Sequence, residues 1–303
     1  MRRWLCLLLL AGLLAAAGAA AARTETARAE TVPETPCPPA EYTFSRKVLW
    51  SYESDTLIWS VERCTPGGAL CFLTKIWVRD PARQIRKATA GWRENIRWPL
   101  EIAETLPEAV LATNGSGYVS PSYPGIPDSY PGTSEDYYYT PLGSLTVTDG
   151  EIFRNLEGVP YYGLTLEADG LQMYTGADIP DVLTAEPLQT WAFYEQCGMQ
   201  RGGEDLLPAK KAWPFADRAY RRTVIARVNR NNYLLLHVTR EQNAGLSLHQ
   251  INSFLMKNFD TEWVYNLDGG PSSALIIRKT KDSPLRLLTK KGQRVADLIC
   301  FTE

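Results

Sequence analysis

The sequence predicts an α+β fold: a single domain with a mixed, twisted β-sheet, hairpins on its rim and flanking helices. Three observations predict it. Many short segments alternate apolar and polar residues, two Asp-Gly pairs sit between such segments, and one amphipathic helix carries its own capping signal. A hydrophobic fraction of 45% is enough to fill a sizeable core.

Residues 1–22, MRRWLCLLLLAGLLAAAGAAAA, carry two arginines, an apolar stretch and small residues in an A-x-A pattern. That is the pattern of a signal peptide, and it predicts a secreted or periplasmic protein. The leucine-rich core is short for a bilayer span, and no later stretch is apolar enough, so no stable membrane insertion is expected after the signal is removed. Residues 23–46 are polar and proline-bearing and read as a flexible segment ahead of a domain over 47–303. The formal net charge is −2, and the leader takes away Arg2 and Arg3 but no acid. A basic nucleic-acid face is therefore not expected.

Of the six cysteines, Cys6 lies in the leader. Cys64 and Cys71 flank TPGG, which is turn chemistry, and are expected to bridge a hairpin. Cys37, Cys197 and Cys300 remain, and a Cys37–Cys300 pair would staple the ends of the chain. Sequence does not decide that connectivity.

Along the chain, YESDTLIWSVER and LCFLTKIWVRD read as strands. WPLEIAETLPEAVLA reads as a helix opened by Pro99 and broken by Pro107. GSLTVTDGEIFR and GLTLEADGLQMY each place Asp-Gly between alternating segments, which is a hairpin signal. RRTVIARVNRNNYLLLHV repeats the arrangement with Asn231-Asn232 at the turn. Ser247 followed by Gln250 forms a capping box, and Leu248, Ile251, Phe254, Leu255 and Phe259 then share one helix face. This helix leads to the strand WVYNL. NLDGGPSS thus stands at the carboxyl end of a buried strand, where ligands often bind.

Between Asn114 and Thr140 the chain is dense in Gly, Pro, Ser and Tyr and long for a passive connection. Its tyrosines would suit stacking on sugar rings, or would pack among themselves. In NLDGGPSS, Asp268 stands beside two glycines that let backbone approach a ligand. The amides of Gly269, Gly270, Ser272 and Ser273 are candidates for an anion-binding nest. Read alone, Asp-Gly-Gly-x-Ser-Ser is more often a plain hairpin turn than a site.

Two further segments, LATNGSGY and RRTVIARV, precede VYNLDGGPSSALII. In content, order and spacing the three resemble the phosphodiester glycosidase family, and the match runs from about Lys47 to the C-terminus. The departures are Pro271 in place of a third glycine, Ala226 in place of a glycine after the Arg-Thr strand, and Ser116 within the first glycine pair. Pro271 removes an amide and fixes φ, which puts the substrate in question more than the fold.

The resemblance implies hydrolysis of glycosyl 1-phosphodiesters at the bond from sugar C1 to oxygen, with an N-acetylglucosamine-type sugar among the candidates. Its partners would be a sugar-phosphate or a cell-surface glycan. Asp268 would act as base or nucleophile, Arg222 would hold the phosphate, and Asn114 would bond sugar hydroxyls or orient the carboxylate. Gly115, Thr223, Gly269, Gly270, Ser272 and Ser273 would complete the substrate site. Glu195 is the candidate second carboxylate. The alternatives are a non-catalytic glycan or sugar-phosphate binding protein and a phosphodiesterase that cuts the P–O bond.

Other chemistries find little support. His237 lies in an apolar strand and His249 in the first helical turn, and two histidines make neither a triad nor a multi-histidine metal site. Cys197 reads as a buried thiol or disulfide partner. The sequence identifies no cofactor with certainty; it leaves open a divalent cation bound near Asp268, with no ligand cluster visible.

Overall fold

A computed structural model of the chain describes residues 46–92, 96–118, 139–239 and 245–303. The expected signal peptide, the expected flexible segment over 23–46 apart from Arg46, Cys37 and most of the tyrosine-rich loop lie outside these residues.

Three sheets form the body. The largest has the order β1 (Arg46–Glu53), β2 (Leu57–Cys64), β3 (Cys71–Val78), β14 (Asn232–Val238), β13 (Arg222–Arg227), β15 (Trp263–Asn266), β11 (Gly198–Arg201) and β12 (Glu204–Asp205). The second runs β7 (Glu151–Asn155), β6 (Leu145–Thr148), β10 (Gln189–Trp191), β8 (Tyr161–Glu167) and β9 (Gly170–Ala177). The third runs β17 (Arg286–Leu287), β16 (Leu275–Ile277), β5 (Ala109–Asn114), β18 (Asp297–Thr302) and β4 (Ile85–Thr89).

The expected single mixed sheet is thereby corrected: every strand pairing among the described residues is antiparallel, and the fold is mostly β. The strand–helix–strand passage from β14 to β15 would normally set two strands side by side in parallel. Here β13 lies between them and pairs antiparallel with both. The helix Leu248–Asn258 then covers the sheet face instead of connecting paired strands.

Period-2 alternation explains why β13 and β14 read as unbroken apolar runs. Val224, Ala226, Leu234 and Leu236 pack under the helix with Leu248, Ile251 and Leu255. Ile225, Tyr233 and Leu235 turn the other way, into a core shared with Leu111, Leu275, Ile299 and Phe301 of the third sheet and Leu164 and Trp191 of the second. Beyond the third sheet a further cluster joins Ile102 and Ala103 to Ala112, Ile276, Leu298 and Cys300.

Local signals behave as their chemistry dictates, with adjustments. Ser247 Oγ accepts from Gln250 N at 3.2 Å and Gln250 Oε1 accepts from Ser247 N at 2.9 Å, closing the capping box. Asp149 (φ 51°) and Gly150 (φ 79°) turn β6 into β7 through two left-handed residues. In the β8–β9 hairpin Glu167 pairs with Gly170, so Ala168-Asp169 make the turn and Gly170 follows at φ 90°. The β13–β14 turn is held by Asn229, whose Oδ1 accepts from the amides of Asn231 and Asn232 at 3.0 and 2.9 Å.

YESDTLIWSVER is two strands, because Ser54 closes a turn on Leu57 (N to O 2.9 Å). The Pro99 helix ends at Ala103, and residues 109–114 form β5. The expected Cys64–Cys71 bridge is not formed. The two residues stand opposite each other across β2 and β3 as buried free thiols, and Cys71 Sγ donates to Ala69 O at 3.5 Å. Cys197 and Cys300 are also free and buried, their thiols pushed up to about 12 by burial.

Candidate active site

Antiparallel neighbours bring the end of one strand beside the start of the next, and the site is built at such a place. β15 ends where β13 begins: Val224 pairs with Asn266, Leu267 N donates to Thr223 O at 2.9 Å, and Gly270 N donates to Arg221 O at 2.9 Å. β5 ends at Asn114 where β18 begins, with Leu298 opposite Asn114. The segments LATNGSGY, RRTVIARV and NLDGGPSS, which lie far apart in sequence, meet here.

Asn114 ties them together. It is fully buried, and its Oδ1 accepts from Ala274 N at 2.9 Å and Thr223 Oγ1 at 3.0 Å, while its Nδ2 donates to Asp268 O at 2.6 Å. Next to it, Thr113 Oγ1 and Ala274 O both lie 3.0 Å from His237 Nε2. Burial pushes the His237 imidazole down to about 4, so it is neutral and structural.

Gly115 is closed in: a Cβ there would stand 2.4 Å from Asp297 Oδ1 and 2.6 Å from Trp191 Cδ1. Ser116 donates its N (2.6 Å) and Oγ (2.8 Å) to the Asp297 carboxylate, and Lys87 Nζ lies 3.4 Å from the same group. Both members of that ion pair are fully buried. Lys87 also donates to Thr190 O at 2.6 Å.

Asp268 differs. Its Oδ1 accepts from Gly269 N at 2.8 Å, and its carboxyl has no ion-pair partner among the described residues. Burial raises its pKa to about 7 from an ordinary 3.8, opposed by the Ser272 hydroxyl and the Gly269 amide and reinforced by the negative charge of Asp297. Gln293 Nε2 donates to Ser272 Oγ at 2.6 Å and holds that hydroxyl in place. Gly270 takes a left-handed φ of 57° at the turn into the short 3-10 helix Gly270–Ser272. Ser273 is buried, and its hydroxyl has no hydrogen-bond partner among the described residues.

Asp268 opens on a cleft of about 590 Å³ lined by Tyr118, Phe193, Tyr194, Trp213, Phe215 and Gln293, among others. Glu195, exposed, lines the same cleft. Arg222 does not line it. Its guanidinium lies 4.1 Å from the centre of the Phe215 ring, and its Nη2 donates to Phe215 O (2.5 Å) and Arg218 O (3.1 Å). Among the described residues its Nε has no hydrogen-bond partner and no carboxylate lies in ion-pair range, and burial lowers its pKa to about 10. Thr223, on the opposite strand face, points to Asn114 instead.

The predicted residues therefore divide. Asp268 faces the cleft, Arg222 lies behind its aromatic wall, and Asn114, Gly115 and Thr223 sit in the scaffold under the loop. Sequence reasoning missed Asp297, Lys87, Gln293 and the aromatic wall of Phe193, Trp213 and Phe215. An acid heading the apolar run DLICF was the available signal for Asp297. Gln293 had none. Among the described residues no group of three or more His, Cys, Asp or Glu side chains is placed to hold a metal ion, and no helix is long and apolar enough to cross a membrane.

Residues 107–302 match the phosphodiester glycosidase family profile. The fold is similar to the catalytic domain of zebrafish N-acetylglucosamine-1-phosphodiester alpha-N-acetylglucosaminidase, auto-inhibited by its pro-peptide. The TM-score is 0.60 at 18% identity, covering 86% of this chain and 89% of that one. It is also similar to a hypothetical protein from Synechocystis (TM-score 0.53, 14% identity, 86% and 64% covered). A protein from Burkholderia pseudomallei K96243 described as exported matches with TM-score 0.50 at 10% identity over 91% and 100% of the two chains. At these identities the likeness concerns the fold. A search of the curated proteins found no match.

Proposed function

The chain belongs to the phosphodiester glycosidase family, and from that premise we propose that it is an exported hydrolase that cleaves the sugar C1–O bond of glycosyl 1-phosphodiesters. The observation that carries the reading is Asp268: a carboxyl with a pKa raised to about 7, opening on an aromatic-walled cleft. A base works best with a pKa near the operating pH.

In the proposed step water attacks C1, Asp268 takes its proton, and the C1–O bond breaks with its electrons going to the phosphate oxygen. A phosphate monoester leaves without strong protonation, so one half-buried carboxyl meets the main requirement. Glu195, on the same cleft, is available as a second carboxyl. The sugar would stack on Tyr194, Trp213 or Phe215. The Arg222 cation against Phe215, with no carboxylate in ion-pair range among the described residues, would stabilise charge gathering on the phosphate without touching it. An N-acetylglucosamine phosphodiester is the first substrate to try, by likeness to the zebrafish enzyme.

The test is turnover in oxygen-18 water with a panel of sugar 1-phosphodiesters. Label in the released sugar is expected. Label in the phosphate would make the protein a phosphodiesterase, and binding without product would make it a glycan-binding protein.

A further inference from the structure

On the other side of the Asp268 loop lies a second cleft, of about 200 Å³. Its walls include Trp98, Pro99, Leu100, Pro271 and Leu287, and its floor is the segment from Ser272 to Ala274. Gln293 lines both clefts. The partition between them is held from both sides. Gln293 N donates to Pro271 O at 3.0 Å, its side chain donates to Ser272 Oγ, and Gly292 lies so close that a Cβ would stand 1.7 Å from Pro271 O.

We propose that this second cleft receives the group carried on the far oxygen of the phosphodiester, and that its walls select an apolar alkyl or aryl group. This rests on the glycosidase reading of the first cleft. Continuity supplies the occupant: a diester with its sugar beside Asp268 has its phosphate near the Gln293 partition, and the remaining substituent has this cleft before it. Chemistry supplies the preference. Among the lining residues Lys290 and Lys291 are balanced by Glu101 and Glu104; the Arg294 guanidinium, 5.8 Å from the Trp98 ring centre, adds one further cation outside the lining, and the apolar walls set the preference for the substituent. Lys291 Nζ lies 4.2 Å from the Trp98 ring centre and occupies part of the surface on which a polar ring would stack. Pro271, one of the three residues that depart from the family pattern, is itself a wall of this cleft. A glycine there would offer no side chain for an apolar group to pack against.

The experiment is calorimetric binding of the alkyl phosphates that such diesters would release, from methyl to butyl phosphate, with glucose 6-phosphate as the polar comparison. Burial of each methylene should tighten binding about fourfold. Pro271→Gly and Leu100→Gln should each flatten the series while leaving methyl phosphate unchanged. Trp98→Ala offers a third variant should either of these fail to fold. A flat series in the wild type, or glucose 6-phosphate binding more tightly than butyl phosphate, would overturn the inference, as would a series that the variants leave intact. The binding readout needs no turnover. A chain-length series without hydrolysis would sink the glycosidase reading and spare the apolar cleft, whereas hydrolysis with a flat series would do the reverse.

Discussion

Asp297 and Asp268 stand at the same end of the molecule and have opposite surroundings. Asp297, at the head of β18, is fully buried and accepts two hydrogen bonds from Ser116, with the Lys87 ammonium beside it. Asp268, just past β15, accepts from one backbone amide, has the Ser272 hydroxyl nearby and has no cation in ion-pair range among the described residues. A buried carboxylate with hydrogen-bond donors and a cation beside it serves as scaffold. A carboxyl with too few such partners holds its proton more tightly than usual, up to neutral pH, where it can exchange it. On the function proposed above, chemistry belongs to Asp268 and architecture to Asp297, although both are aspartates at strand ends.

Breaking the scaffold half should have the largest effect. Lys87→Met leaves the Asp297 charge uncompensated and should cost about 3–5 kcal/mol in denaturant unfolding. Adding Asp297→Asn should recover part of that loss, and additive losses would mean that the pair is not coupled. On the other half, Asp268→Asn should lower turnover by about 10²–10⁴-fold while the protein stays folded. Full activity in that variant would remove Asp268 from the reaction.

The two halves should also separate with pH. The folded-state pKa of Asp268 is raised to about 7 from 3.8. The folded chain therefore keeps a proton that the unfolded chain has already lost, and the stability from this group is full below pH 3.8. It declines as pH rises to about 7, by at most ~4 kcal/mol. Activity that needs the ionised base should rise over the upper part of the same window. Asp268→Asn should lack this decline and be the more stable protein at pH 8, and parallel stability curves would contradict the raised pKa. Smallest of all, a reductant should leave the melting temperature of the β2–β3 hairpin region unchanged, because Cys64 and Cys71 are free thiols. A drop on reduction would show a bridge.

Local chemistry made much of this legible in the sequence. The Ser247 capping box, the Asp149-Gly150 turn and the strand leading into Asp268 are dictated within a few residues, and each appears where its pattern lies. What depends on partners far along the chain was not legible. Nothing near Asn114 says that its amide will bond residues 223, 268 and 274, and nothing near Gln293 says that it will meet Ser272. Arg222 and Thr223 are neighbours in sequence, and the two-residue period of a strand sends them to opposite faces. The single mixed sheet failed for a related reason: helix Leu248–Asn258 joins two strands with β13 between them, and strand order is set by long-range pairing.

The most direct test of this contrast is a carbon-13 NMR titration of the aspartate carboxyls in the wild type and in Asp268→Asn. The account predicts one carboxyl that titrates with a midpoint near pH 7 and is missing from the variant. If the resonance lost in the variant has a midpoint near 4, Asp268 is an ordinary solvated acid and the division between scaffold and site is wrong.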